Sequence, residues 1–92
     1  MIVPILFTSF RNADFNKCYF ALPTAVRKMA VETYRKFCDD PYQSGLRFKK
    51  LKNCDDLYSV RLNRSYRAVG VVADAEIIWF WIGTKQAFEK IF

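Results

Sequence analysis

The stretch Leu57–Gly83, LYSVRLNRSYRAVGVVADAEIIWFWIG, constrains the fold more than any other part of the chain. Three runs rich in β-branched and aromatic residues cover Leu57–Leu62, Tyr66–Ala73 and Glu76–Ile82, with turn signals at Asn63-Arg64-Ser65 and Asp74-Ala75. This pattern predicts a three-stranded antiparallel meander. With all of 63–65 in the first loop, Leu62 faces Tyr66 and Arg61 faces Arg67. With 74–75 as the second turn, Arg67 faces Ile82. Like charges directly opposed on one face of a sheet are destabilising. A sequence shaped by stability alone would avoid the Arg61–Arg67 pair. The pair therefore predicts a bound anion, and guanidinium groups suit phosphate. Lys85, just beyond Gly83, is expected at the same rim.

Strand alternation sorts the two faces. Tyr58, Val60, Leu62, Tyr66, Ala68, Gly70, Val72, Ile77, Trp79 and Trp81 share the face expected to pack on helices. Ser59, Arg61, Asn63, Arg67, Val69, Val71, Ile78, Phe80 and Ile82 share the other. That second face is cationic at one end and apolar at the other. An apolar strip on a small protein marks a partner site or a covered surface, so Ile78 and Phe80 are the expected partner contacts. The last strand is apolar on both faces, which predicts a central position.

Upstream, Met1–Ser9 reads as a strand, and Pro4 favours an edge or an irregular start. Ser9, Asn12 or Asp14 would cap a short helix running to about Leu22, with Phe15, Cys18, Tyr19 and Leu22 inward. Pro23 suits the first position of a second helix, Pro23 to about Cys38. There Val26, Met29, Ala30, Thr33, Tyr34 and Phe37 form an apolar stripe, with Arg27, Lys28, Glu32, Arg35 and Lys36 opposite. Those cations serve either as a solvated helix face or as a surface for an acidic partner. Asp40-Pro41 stops the helix, and Tyr42–Gly45 is a loop. Leu46–Lys52 reads as a short extended segment with Leu46 and Phe48 set among cations, and its basic run, Arg47, Lys49, Lys50 and Lys52, contacts a phosphate backbone or merely tethers the surface. Asn53–Asp56 turns the chain into the meander. Thr84–Phe92 reads as a short helix or tail with Thr84 as cap.

Ninety-two residues suffice for one two-layer domain over 1–92. A 52% hydrophobic content excludes disorder, and no apolar run is long enough to span a bilayer. Met1–Phe7 lacks a basic leader and a cleavage site, so a strand is expected there and not a signal peptide. The net charge of +6 favours nucleic acid or an acidic protein as partner. Three separated cysteines and no histidine argue against zinc and against a disulfide framework, and fit a reducing cytoplasm. No metal or cofactor is expected. The lack of histidine also removes the commonest general base.

The sequence resembles the RelE/ParE superfamily of toxins from bacterial type II toxin–antitoxin systems. The likeness is carried by Leu22-Pro23, Asp40-Pro41, Phe48-Lys49-Lys50-Leu51-Lys52, Tyr58-Ser59-Val60-Arg61, Tyr66-Arg67-Ala68-Val69-Gly70 and Trp79-Phe80-Trp81-Ile82-Gly83. Their order and spacing span nearly the whole chain. The resemblance implies an α+β fold of order β-α-α-β-β-β, an antiparallel sheet with two helices on one face. It implies a cognate antitoxin and, in the ribonuclease branch, cutting of mRNA on the ribosome through the RNA 2′-hydroxyl. Arg61, Arg67 and Lys85 occupy the places of the family's catalytic cations, with Lys49, Lys50, Lys52 and Arg64 as further RNA or phosphate contacts. Relatives with this last strand often continue with a Ser-His and a later Tyr, where this chain has Lys85 and Phe88. A lysine charged at neutral pH stabilises charge but is a poor base. The alternative from the same resemblance is a ParE-like or catalytically weakened toxin acting by protein contact, with DNA gyrase as a possible target.

Overall fold

The structure is a computed structural model describing residues 7–52 and 54–92. Its elements in order are β1 (Thr8–Arg11), α1 (Ala13–Phe20), α2 (Thr24–Asp39), a 3-10 turn (Ser44–Leu46), β2 (Lys49–Lys50), β3 (Leu57–Asn63), β4 (Tyr66–Ala73), β5 (Glu76–Thr84) and α3 (Lys85–Ile91). The five strands form one sheet in the order β1-β5-β4-β3-β2. The expected β-α-α-β-β-β order holds, with β2 and α3 added.

The sheet is mixed and mostly antiparallel. β1 runs parallel to β5, while the other pairings are antiparallel. The α1–α2 excursion carries the chain across the sheet, and this separation lets β1 and β5 run the same way. β5 has a neighbour on each side, as its doubly apolar sequence implied. Residues 1–6 of the strand expected over Met1–Ser9, Pro4 among them, and Asn53 lie outside the described residues, and β1 runs beyond the expected end to Arg11.

Local signals explain the helix ends. The Asn12 side chain accepts from the Phe15 N–H at 2.9 Å and starts α1. Pro23 stands one residue before α2 as its N-cap, and Asp40, in extended conformation before Pro41, ends it. Thr84 caps α3 by accepting from the Ala87 N–H at 3.1 Å. Among the described residues, no helix is long and apolar enough to cross a membrane.

α1 and α2 cover one face of the sheet. Phe37, Leu46, Val60, Ala68, Ile77, Trp79 and Ile82 form the buried core, with Phe15, Cys18, Tyr19, Leu22 and Ala30 against it. Phe37 packs edge-on to Trp79 at 5.3 Å between ring centroids. Tyr34, expected inward, is exposed at the helix flank.

Two bulges revise the expected register. Leu62 bulges out of the β3–β4 ladder, so Asn63 pairs with Tyr66. The Asn63 Oδ1 accepts from the N–H groups of Ser65 and Tyr66, which draws Asn63 into the strand and leaves Arg64-Ser65 as the turn. In β5 the ladder shifts between Val69 and Gly70, leaving Phe80 unpaired and placing Arg67 opposite Gly83 instead of Ile82. A one-residue bulge reverses the facing of the residues beyond it. Ile82 therefore enters the core, and Trp81 turns to the far face. There Trp81 packs on Phe92 at 5.5 Å and Phe88 at 6.3 Å. Gly83 makes that possible, because a Cβ at this position would lie 2.7 Å from the Trp81 ring. α3 thus covers part of the far face.

Candidate phosphate-binding site

The far face brings Arg61 and Arg67 together. They are direct partners across β3 and β4, so both side chains leave the sheet on the same side. Among the described residues, no carboxylate lies within ion-pair distance of either guanidinium. The Arg67 guanidinium instead donates to the backbone carbonyls of Asn63 and, at 2.9 Å, Tyr66. These bonds fix its position without neutralising it.

Burial, and then the like charges of Arg61 and Arg47, push Arg67 below its ordinary value, while Glu89 opposes them. A displaced guanidinium still carries its charge at neutral pH. The local field is therefore that of converging cations, the arrangement that attracts an anion.

Arg47, read from the sequence only as one cation of the 46–52 run, joins this cluster by its charge on Arg67. It follows the 3-10 turn in a left-handed conformation, with φ 49° and ψ 44°. That conformation is uncommon for a residue with a Cβ. It is also aperiodic, so no strand or helix pattern marks it. The available hints were its charge and its place after Gly45-Leu46.

Lys85 meets this cluster indirectly. Its Nζ lies 3.7 Å from Glu89, one turn further along α3, and Glu89 also acts on Arg67. The Lys85 N–H donates to the Ser65 carbonyl at 2.8 Å, which ties the start of α3 to the β3–β4 turn. Lys85 and Arg64 line a shallow cleft with Ser65, Tyr66, Thr84 and Gln86.

The lysine run divides. Lys49 pairs with Ser59 and by register shares the face of Arg61, whereas Lys50 pairs with Tyr58 and belongs to the helix-covered face. Lys52 is exposed beyond the strand. The expected partner strip also changes. Phe80 packs on Phe92 at 6.2 Å, and Ile78 is half-buried, so neither forms an open apolar strip. The reason is α3, whose aromatic residues occupy that part of the sheet. Among the described residues, no group of three or more acidic or cysteine side chains stands close enough to hold a metal ion.

No family model matches the sequence, and no curated protein matches it by sequence. Solved structures do resemble it. The toxin–antitoxin complex RelB–RelE from Methanococcus jannaschii includes a chain that superposes with a TM-score of 0.72 at 19% identity, covering 90% of this chain and 98% of that one. The isolated E. coli RelE toxin matches with a TM-score of 0.66 at 19% identity, covering 94% and 99%. E. coli YafQ matches at 0.69 and 10% identity, covering 89% and 97%. The chain therefore has the RelE-type fold.

Proposed function

We propose that this chain is the toxin of a type II toxin–antitoxin pair and acts as a ribosome-dependent mRNA endoribonuclease. The observation that carries the reading is the Arg61–Arg67 pair, two opposed guanidinium groups with no carboxylate within ion-pair distance among the described residues. The structural neighbours whose names identify them as RelE toxins support the toxin part.

The chemistry asked of the site is cleavage by an internal nucleophile. The RNA 2′-oxygen attacks the adjacent phosphorus and loses its proton to a base. The bond from phosphorus to the 5′-oxygen breaks, and that oxygen takes up a proton. The products are a cyclic phosphate and a 5′-hydroxyl. Extra negative charge gathers on the phosphoryl oxygens in the transition state. Arg61 and Arg67 grip those oxygens, and Arg47 adds to the field. Preorganised donors of this kind typically contribute about 10²–10³ in rate each. Lys85 stabilises charge on the leaving side, with Glu89 positioning its ammonium group. Lys49, Lys52 and Arg64 hold neighbouring phosphates of the RNA, and Lys50 does so from the other face of β2. The ribosome and mRNA are then the targets, in the cytoplasm, and a cognate antitoxin restrains the protein.

The test is cleavage of mRNA in purified translating ribosomes. Wild type is expected to cut and Arg67→Ala to lose most of that rate. Absence of cutting at protein excess overturns the ribonuclease reading. A second reading has its own observation: Phe88 packs on Trp81 and brings no hydroxyl to the site. In that reading the protein is a ParE-like toxin that binds a protein such as DNA gyrase. Inhibition of gyrase without RNA cleavage would favour it.

A further inference from the structure

Like charges set opposite one another on a sheet push apart. A site built on the Arg61–Arg67 pair therefore needs a hold on its side chains before any anion arrives. For Arg67 that hold is the β3–β4 turn. Its Nη1 donates to the Asn63 carbonyl and, at 2.9 Å, to the Tyr66 carbonyl. A guanidinium Nη carries two hydrogens, so the two carbonyls occupy Nη1 in full. Among the described residues, no other hydrogen bond or ion pair engages this guanidinium. What remains is the edge formed by Nε and Nη2, whose parallel N–H bonds suit bidentate contact with phosphate.

One side chain closes the turn. The bulge at Leu62 sets Asn63 opposite Tyr66. From there the Asn63 Oδ1 accepts from the Ser65 N–H at 2.8 Å and from the Tyr66 N–H at 3.0 Å. Asn63 thus gives its side-chain oxygen to the turn and its backbone carbonyl to Arg67. The Ser65 carbonyl, in the middle of the turn, accepts from the Lys85 N–H at 2.8 Å. Backbone of the segment 63–66 therefore touches Arg67 and Lys85 together. Without the Asn63 amide, two N–H groups lose their partner and the turn can change shape. Both carbonyls at Nη1 move with it, and repulsion from Arg61 drives the released guanidinium away.

We infer that Asn63 is a positioning residue for Arg67. Its side chain fixes the β3–β4 turn, the carbonyls of that turn fix Nη1, and the Nε and Nη2 edge is thereby presented to a phosphate. This deepens the ribonuclease reading and rests on its claim that the arginine pair binds phosphate.

The hold can be read by NMR without a ligand. The Arg67 Nη signals, assigned by their loss in Arg67→Ala, should be separate in wild type, because the bonds to Nη1 slow rotation about Nε–Cζ. In Asn63→Ala that rotation should be at least about tenfold faster, and the signals should merge. The same variant should bind inorganic phosphate at least about tenfold more weakly and lower kcat for mRNA on ribosomes by about 10²-fold. Asn63→Ser keeps a weaker acceptor and should lose less in each measurement. Adding Asn63→Ala to Arg67→Ala should slow cleavage no further, since a residue acting through Arg67 has nothing left to place. Asp74→Asn, in the turn roughly 23 Å away at the other end of β4, should change none of these. Separate Nη signals kept in Asn63→Ala, or phosphate affinity unchanged by it, would overturn the proposal. So would a wild type that binds no phosphate. Phosphate binding that depends on Asn63, in a protein that cuts no mRNA, supports the proposal and sinks the ribonuclease reading alone.

Discussion

The same strands serve two unlike surfaces. On the face under α1 and α2, Val60, Ala68, Ile77 and Ile82 are packed among aromatic rings. On the other face, the same β3 and β4 hold Arg61 against Arg67 with no carboxylate to separate them among the described residues. Burial of apolar area supplies the stability of the first, at roughly 25 cal/mol per Å². The second is a cost that the first offsets. Such a division is expected where function lies on one side of a scaffold. It is also breakable by substitution: changes on the first face should act on stability, and changes at the arginine pair on activity.

Phe37→Ala should give the largest stability effect. The ring is 2% exposed and touches Trp79 and Phe48. Truncating a fully buried phenylalanine costs about 3–5 kcal/mol. Urea unfolding should show the loss, and a change below about 1 kcal/mol would mean that this face does not carry the fold.

Gly83→Ala should come next. It lies where the two surfaces join, at the strand end beside the arginine pair. The added Cβ would approach within 2.7 Å of the Trp81 ring, which must then move against Phe88 and Phe92. Overpacking of this kind costs about 1–3 kcal/mol. Thermal unfolding together with the near-ultraviolet signal of the tryptophans checks it.

How far the sequence shows this contrast depends on the scale. Alternation in 57–83 is strong enough to give the meander, and the Arg61–Arg67 pairing comes with it. The cap at Thr84 is legible, because a side-chain oxygen next to an apolar-periodic run has one common use; for α1 the sequence offers Ser9, Asn12 or Asp14, and only the fold selects Asn12. The bulges at Leu62 and Phe80 are not legible. Each depends on which neighbour a residue finds after folding: the two N–H groups for Asn63, and the space over Gly83 for Trp81. The bulge in β5 is why Trp81 and Ile82 exchange faces. Arg47 is illegible for another reason, since its place comes from a single left-handed residue outside any repeat. The parallel pairing of β1 is a long-range choice that no local pattern encodes.

Arg67→Ala should separate the surfaces most clearly, since its effect on stability is small and of opposite sign. Removing one of two opposed charges should leave stability unchanged or raise it by up to about 1 kcal/mol. Its lowered value has a definite pH consequence. The folded state holds this proton less tightly than the unfolded chain does. The cost is thus present through the acid and neutral range and is relieved only as pH rises through the lowered value. That window is alkaline, so the difference between variant and wild type should be flat from about pH 6 to 9. A difference that falls steadily across this range would mean that another group, and not Arg67, sets it.

The smallest effect is also the most direct probe of the arginine pair. An anion bound between Arg61 and Arg67 stabilises the folded state by RT ln(1 + [L]/Kd), about 0.4 kcal/mol at a concentration equal to Kd. For a domain of this size that is about 2–3 °C in Tm. Sulfate is a suitable stand-in for phosphate, provided that chloride at equal ionic strength corrects for general salt effects. Wild type should gain this increment and Arg67→Ala should lose it, whereas Val31→Glu, on the other face, should retain it. If all three proteins respond alike, the arginines hold no anion in common, and the two faces of the sheet differ in appearance only.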